Sequence, residues 1–286
     1  MMTSRFWQAE IAGAGGDVEM TEAGLKPEIA TARVLSNAAY SGEYRELRLD
    51  VTSISGRVKP GQFVHVRVPG LSDRVLRRPF SVFHADMDVL CVLYKVVGQG
   101  TEVLASVEKG GNISVLGPLG NGFPPVDESA FPVLVAGGYG VAPLCFFAEH
   151  TAAPGVLFVG GATASDILCV ERFEKMGWDV HVTTEDGSMG QRGLVTDALD
   201  EWLGECELDR PPEFFVCGPD GLLRAIGERC VLQGWKGSLS LDKHMGCGLG
   251  ACLACVQRLR GPNGEEFWAR VCKDGPVFDA EKVVWQ

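Results

Sequence analysis
Four of the chain's ten cysteines, Cys247, Cys252, Cys255 and Cys272, gather near its C-terminus. The first three follow the spacing C-x4-C-x2-C inside KHMGCGLGACLACVQR, and the fourth follows in RVCKDGP. Thiolates bind soft metals, and this order is the one that holds a plant-type [2Fe–2S] cluster. The Gly and Ala residues between them let a loop wrap closely around two irons and bring backbone N–H groups to the sulfurs. A structural zinc would more usually pair two C-x2-C knuckles. Zinc and inert thiols are the competing readings.

Two further stretches could hold phosphate. AGGYGVAPL places Gly137, Gly138 and Gly140 where an apolar run gives way to a helical pattern. A helix start there offers free N–H groups and a positive dipole end. VCGPDG is built alike, with Cys217, Gly218 and Pro219. Two such ends in one open sheet would form the crevice where doubly wound folds bind ligands; a plain tight turn accounts for any single glycine. In LRRPFSV, a doubled Arg ending at Arg78 precedes Pro79, Phe80 and Ser81, which suits a strand start where Arg faces a diphosphate. An exposed edge with two solvated arginines is the bland alternative. LYKVVGQGT runs from Leu93, Tyr94 and Lys95 into a turn holding Gly100 and Thr101, whose N–H groups could meet a second phosphate edge. Cys217 reads as a small buried hydrophobe rather than a nucleophile. His65, His84, His150, His181 and His244 show no metal spacing, and no nucleophile elbow is present. No catalytic residue is assigned beyond the cofactors.

These residues need scaffolds. From Ile29 to about Val115 the pattern is short and alternating (RELRLDV, QFVHVRV, VLCVLYKVV), which predicts a small antiparallel barrel. From FPVLVAGG onward, apolar runs alternate with helical patterns, predicting a Rossmann-like parallel sheet of βαβ units. Beyond Gly237 the helical patterns stop. The expected organisation is an N-terminal extension over residues 1–29, a barrel over 30–128, an α/β nucleotide domain over 129–236 and a small cluster domain over 237–286.

Composition narrows the partners. A formal charge of −11 leaves no diffuse basic field for nucleic acid or anionic lipid. No uncharged run approaches the ~18 residues of a spanning helix, so no membrane association is expected. MMTSRFWQAE has no apolar core of a secretory signal, and a reducing cytoplasm is the expected setting, where clustered cysteines bind metal or catalyse rather than pair.

Taken in order, RRPFS, LYKVVGQGT, GPLGNGF, GGYGVAPL, TTEDGSMGQRG, VCGPDGLL, CGLGACLACV and VCKDGPVF carry a family resemblance. Residues 30–236 resemble the ferredoxin–NADP reductase superfamily, and 30–286 resemble the electron-transfer subunits of class B dihydroorotate dehydrogenases. The resemblance implies FAD held by Arg78, Pro79, Phe80, Ser81, Leu93, Tyr94, Lys95, Gly100 and Thr101. It implies a [2Fe–2S] cluster on Cys247, Cys252, Cys255 and Cys272. The nicotinamide nucleotide NAD(H) would sit on Gly137, Gly138, Gly140 and the Cys217-Gly218-Pro219 turn. The implied partner is an FMN-containing dihydroorotate dehydrogenase catalytic subunit of pyrimidine biosynthesis, joined in a heterotetramer. Diaphorase-like subunits of other oxidoreductases such as hydrogenases are the alternative. A hydride carries two electrons and a [2Fe–2S] cluster takes one, so a flavin is needed between them. The chain has Ala136 where the family more usually has Gly. GGATASDIL lacks an Arg for a 2′-phosphate, and Glu185 and Asp186 end the next strand, so NADH is expected over NADPH.

Overall fold
The computed structural model describes residues 26–71 and 76–285. Most of the expected N-terminal extension lies outside the described residues. Six strands, β1 (Glu28–Ser41), β2 (Tyr44–Asp50), β3 (Phe63–Arg67), β4 (Arg78–Ala85), β5 (Val89–Lys95) and β6 (Asn112–Leu119), close into a barrel in the order β1-β2-β5-β4-β3-β6. Every pairing is antiparallel. Short helices α1 (Thr52–Ser55) and α2 (Gln99–Ala105) lie in the connections. Val64, Val66, Val82, Leu90 and Val92 share one core, the inward half of an alternation with period two.

The α/β part runs β7 (Phe131–Gly137), α3 (Val141–Ala148), β8 (Val156–Gly161), α4 (Val170–Lys175), β9 (Asp179–Thr184), β10 (Gln191–Arg192), α5 (Val195–Glu205), β11 (Pro212–Cys217), α6 (Asp220–Gln233) and β12 (Lys236–Ser240). The C-terminal segment adds a hairpin, β13 (Val256–Arg260) and β14 (Glu266–Arg270), a single turn α7 (Val271–Asp274) and β15 (Val277–Asp279). The large sheet has the order β10-β9-β8-β7-β11-β12-β15. All six residues of β11 are buried, as a parallel strand covered on both faces should be.

Two details differ from the sequence expectation. The sheet does not stop at residue 236: β12 pairs parallel with β11, and β15 pairs antiparallel with β12. The C-terminal segment therefore shares the sheet instead of standing apart. It also contains a helical turn, α7, which carries Cys272.

Helix α3 fixes the barrel against the sheet. All eight of its residues are buried, and a helix that is apolar all round needs cover on every side. Phe146 enters the barrel core, whereas Leu144, Cys145 and Phe147 join the core of the sheet. Among the described residues no helix is long and apolar enough to cross a membrane.

Candidate functional site
The cluster loop has almost no regular structure between β12 and β13, and three residues bend it. Gly248 and Gly250 have φ of +72° and +80°, and Leu253 has φ of +59°. These left-handed residues turn successive N–H groups inward, as in an anion-binding nest. Leu249 N–H and Ala251 N–H both donate to Cys247 Sγ at 3.3 Å, and Gly250 N–H donates to Cys272 Sγ at 3.2 Å. Cys247 N–H donates to Cys252 Sγ, and Cys272 N–H to Cys255 Sγ, each at 3.4 Å. All four sulfurs thus accept a backbone N–H.

The Cys247 and Cys252 thiols lie close enough to act on one another, as do those of Cys255 and Cys272. Among the described residues no three His, Cys, Asp or Glu side chains converge on a point that one metal ion could occupy. Four thiolates in two neighbouring pairs suit the two irons of a [2Fe–2S] centre. Burial pushes the Cys247 thiol up, but the N–H groups of Leu249, Cys252 and Ala251 outweigh it and bring it down to about 6. Burial and its neighbour Cys255 push Cys272 up to about 12; a bound metal deprotonates such a thiol outright. The donor set and its N–H lining fit a [2Fe–2S] cluster.

The doubled arginine divides its labour. Arg77 reaches across to β6, donating to Ser114 O at 2.8 Å and Ser114 Oγ at 2.9 Å, so it is a structural clamp. Arg78 donates to Leu76 O, and its Nε lies 3.2 Å from the position of a methyl group at Gly100. The two stretches read separately in the sequence, RRPFS and GQGT, therefore meet. Thr101 Oγ1 accepts from Val97 N–H and Gly98 N–H and donates to Gly98 O, which leaves it capping α2. Pro79, Phe80 and Ser81 are partly exposed along β4, with Phe80 edge-on to the Tyr94 ring at 5.7 Å. Leu93 and Tyr94 are buried, and Tyr94 donates its hydroxyl to Asn37 Oδ1 at 2.9 Å. Lys95 instead crosses to the sheet, donating to Asp166 Oδ1 at 2.9 Å, where the Tyr44 hydroxyl also donates at 2.8 Å. Lys95 and Tyr44 hold the Asp166 carboxyl below its ordinary range against the opposing effect of burial.

The glycine-rich strand ends fall at the switch point of the sheet. From β7 the chain builds outward through β8 and β9, then returns to add β11 on the other side, and ligands of open α/β sheets bind at such a reversal. Gly137, Gly138 and Gly140 therefore sit beside Cys217, Gly218 and Pro219. Their glycines answer to packing as well as to any ligand. A methyl group at Gly140 would stand 2.3 Å from Cys217 O, one at Gly137 2.7 Å from Pro219 Cδ, and one at Gly218 2.9 Å from Gly137 N. Only Gly138, with φ of +54°, is open, its nearest neighbour being Tyr44 Oη at 3.8 Å. The Cys217 thiol is buried, and burial pushes it up to about 12, which agrees with a packing role.

Several residues near these sites carry no signal in the sequence. Tyr44 and Asp166 join barrel to sheet only through tertiary contact. Arg192 packs its side chain against Gly187, just after Glu185 and Asp186, and Asp186 accepts from Ser188 N–H at 2.9 Å. The segment GGATASDIL at the end of β8 has no arginine, whereas the pairing of β10 with β9 supplies one here.

Similarity to known proteins follows the same layout. Residues 242–284 match the family model described as the iron-sulfur cluster binding domain of dihydroorotate dehydrogenase B. Residues 134–228 match the oxidoreductase NAD-binding domain. The chain is 39% identical over 265 residues to the dihydroorotate dehydrogenase B (NAD(+)) electron transfer subunit of Geobacillus kaustophilus, covering 90% of this chain and 96% of that one. The same figures hold for the subunit of that name from Bacillus caldolyticus. A solved NADH-dependent reduced ferredoxin-NADP oxidoreductase, studied for flavin-based electron bifurcation, superposes with a TM-score of 0.77 at 27% identity over 90% of each chain.

Proposed function
Because this chain belongs to the family of dihydroorotate dehydrogenase B electron transfer subunits, we propose that it passes electrons between NAD(H), FAD and a [2Fe–2S] cluster, to or from a dihydroorotate dehydrogenase catalytic subunit. The observation that carries this reading is the position of the barrel. On one side Tyr44 and Lys95 bind Asp166, and Tyr44 also approaches Gly138 of the nucleotide strand ends. On another, Asn121 N–H donates to Gly275 O at 2.6 Å, and the side chain of His65 packs on Gly248 of the cluster loop. A flavin on β4 and β5 would stand between a hydride donor and a one-electron carrier.

Arg78 would hold the flavin diphosphate against the Gly98–Thr101 turn, the backbone of β4 and β5 would orient the ring, and the Gly137–Gly140 turn would admit the nicotinamide. Cys247, Cys252, Cys255 and Cys272 would hold the cluster. When bound, these cofactors supply the redox chemistry: hydride exchange at the nicotinamide, conversion of electron pairs to single electrons at the flavin, and one-electron storage at the cluster. The two exposed acids at the end of β9 outnumber Arg192, which favours NADH over NADPH.

The partner would cover the cluster loop. Leu253 and Trp268, 62% and 59% exposed, line one shallow surface depression with Val256 and Arg270, and exposed large apolar side chains brought together in this way mark an association surface. An FMN-containing catalytic subunit docked here, two of each chain forming a heterotetramer in the cytoplasm, completes the proposal. The test is anaerobic: with NADH, the isolated chain should bleach its flavin, develop the EPR signal of a reduced [2Fe–2S] centre and reduce artificial dyes. Dihydroorotate oxidation coupled to NAD⁺ should need the added catalytic subunit. Dihydroorotate oxidation by this chain alone, or one zinc and no iron after anaerobic purification, would overturn the reading.

A further inference from the structure
His65 stands in no motif, yet it is the side chain through which the flavin barrel meets the cluster loop. It lies on β3 in register with Pro79 of β4. Val64 and Val66 on either side point into the barrel core, so the alternation turns Phe63 and His65 outward. Phe63 accordingly packs in the core that contains Cys255 and Cys272, with its ring centroid 5.6 Å from that of His65. The imidazole is fully buried, at 0% exposure, and neither Nδ1 nor Nε2 has a hydrogen-bond partner. Burial first, and Arg77 second, lower its pKa to about 4, so the ring is neutral and carries one N–H. A methyl group at Gly248 would stand 2.7 Å from Cε1, 2.8 Å from Nδ1 and 3.0 Å from Nε2. The ring edge is therefore pressed against the backbone next to Cys247.

A buried polar group left without a partner costs about 1–3 kcal/mol. A leucine would fill the space without that cost. The backbone the His65 ring presses on is that of Gly248, one residue from Cys247, and the sulfurs of a bound cluster would be electron-rich acceptors beside it. We infer that His65 is a positioning residue for the cluster, donating its imidazole N–H to a sulfur of the bound [2Fe–2S] centre and raising that centre's reduction potential. The inference rests on the cluster assignment proposed above. Donors to sulfur stabilise the more negative, reduced cluster over the oxidised one, and hydrogen bonding is one of the protein's means of setting the potential. It also ties the cluster's potential to a strand paired with β4, the strand that carries Arg78.

The experiment uses full-length chain with FAD and iron–sulfide loaded anaerobically, in wild type, His65→Leu and His65→Gln. Iron and sulfide content are measured first, and the cluster and flavin potentials are then titrated in the same samples by EPR and absorbance. In His65→Leu the cluster should keep its iron and become about tenfold harder to reduce, a fall of about 59 mV for one electron, with the flavin potential unmoved. In His65→Gln the amide N–H should restore most of the difference. A cluster potential unchanged in iron-replete His65→Leu, or a shift confined to the flavin, overturns the inference alone. If His65→Leu fails to retain iron, His65→Gln decides: a potential near wild type supports the role, and one lowered about tenfold overturns it. Wild-type protein without iron would remove the cluster assignment, and this inference with it.

Discussion
The nucleotide strand ends and the cluster loop are both rich in glycine, but they use it mainly for different reasons. At β7 and β11 the backbones of two turns are packed on each other, and Gly137, Gly140 and Gly218 are glycine because no side chain fits between them. In the cluster loop Gly248 and Gly250 are in the left-handed region, and they aim neighbouring N–H groups at sulfur, although Gly248 also leaves no room for a side chain beside His65. One region is made of contacts between backbones, the other of curvature around an inorganic core. A substitution in the first should disturb nucleotide binding and leave the cluster; one in the second should do the reverse.

The largest effect tests the independence of the two. Cys252→Ser should abolish the visible absorption and reduced-state EPR signal of the cluster, because four thiolates are required and a serine oxygen is a poor ligand for iron of this kind. Flavin content and the rate of flavin bleaching by NADH should remain. Loss of both functions together would break the comparison, since it would mean that the loop and the strand ends fold as one unit.

Next is Gly140→Ala. Its new methyl group meets a backbone carbonyl 2.3 Å away, which cannot rotate aside as a side chain could. Overpacking of this kind costs about 1–3 kcal/mol, and it would part the two turns where the nicotinamide is proposed to enter. The KM for NADH should rise on the order of tenfold, following the ~1.4 kcal/mol per decade of affinity, while iron content stays at the wild-type level. Steady-state kinetics beside an iron assay check both halves.

How far these regions can be read from sequence follows from the distance over which their parts interact. The cluster ligands are legible because three of them lie in one loop and their spacing is itself the geometry of the site. The switch point is legible because each apolar run ending in Gly is local. His65, Tyr44 and Asp166 are not, because a single buried histidine, tyrosine or aspartate has no period, and its partner is supplied by another part of the chain. The same applies to β15, whose three residues are too few to show alternation. Arg77 and Arg78 are identical in type, and only the register of β3, β4 and β6 sends one to Ser114 and the other towards Gly100.

A smaller change probes curvature alone. Gly250 has φ of +80°, and a methyl group there would stand 2.7 Å from Lys273 Cδ, which can swing away, and 3.0 Å from Lys273 Cβ, which must give by a few tenths of an ångström. Gly250→Ala should then cost mainly the left-handed backbone penalty of about 1–2 kcal/mol, with a small adjustment of Lys273 besides. It should also loosen the N–H that Gly250 donates to Cys272 Sγ. Iron should be retained at first but lost to a chelator severalfold faster than from wild type, with the KM for NADH unchanged. A raised KM with normal iron retention would reverse the assignment of roles.

The smallest effect on the isolated chain belongs to Leu253, which occupies a left-handed position, φ +59°, where glycine would be unstrained. Its side chain is 62% exposed and so gains little from burial within this chain. Replacing it with Gly relieves a strain of about 1–2 kcal/mol but adds about 0.4–1 kcal/mol of unfolded-chain entropy. The two nearly cancel, so Leu253→Gly should leave thermal stability, iron content and NADH-to-dye turnover almost unchanged. A leucine kept at a strained and exposed position is explained if the side chain is covered on assembly, where losing it should weaken binding of the catalytic subunit by about 1.5–3 kcal/mol, the value of a buried Leu, or roughly ten- to a hundredfold. Titrating the catalytic subunit against NAD⁺-coupled dihydroorotate oxidation measures this directly. Unchanged affinity for the catalytic subunit would remove Leu253 from the docking surface and leave its strained backbone to be explained by the shape of the loop alone.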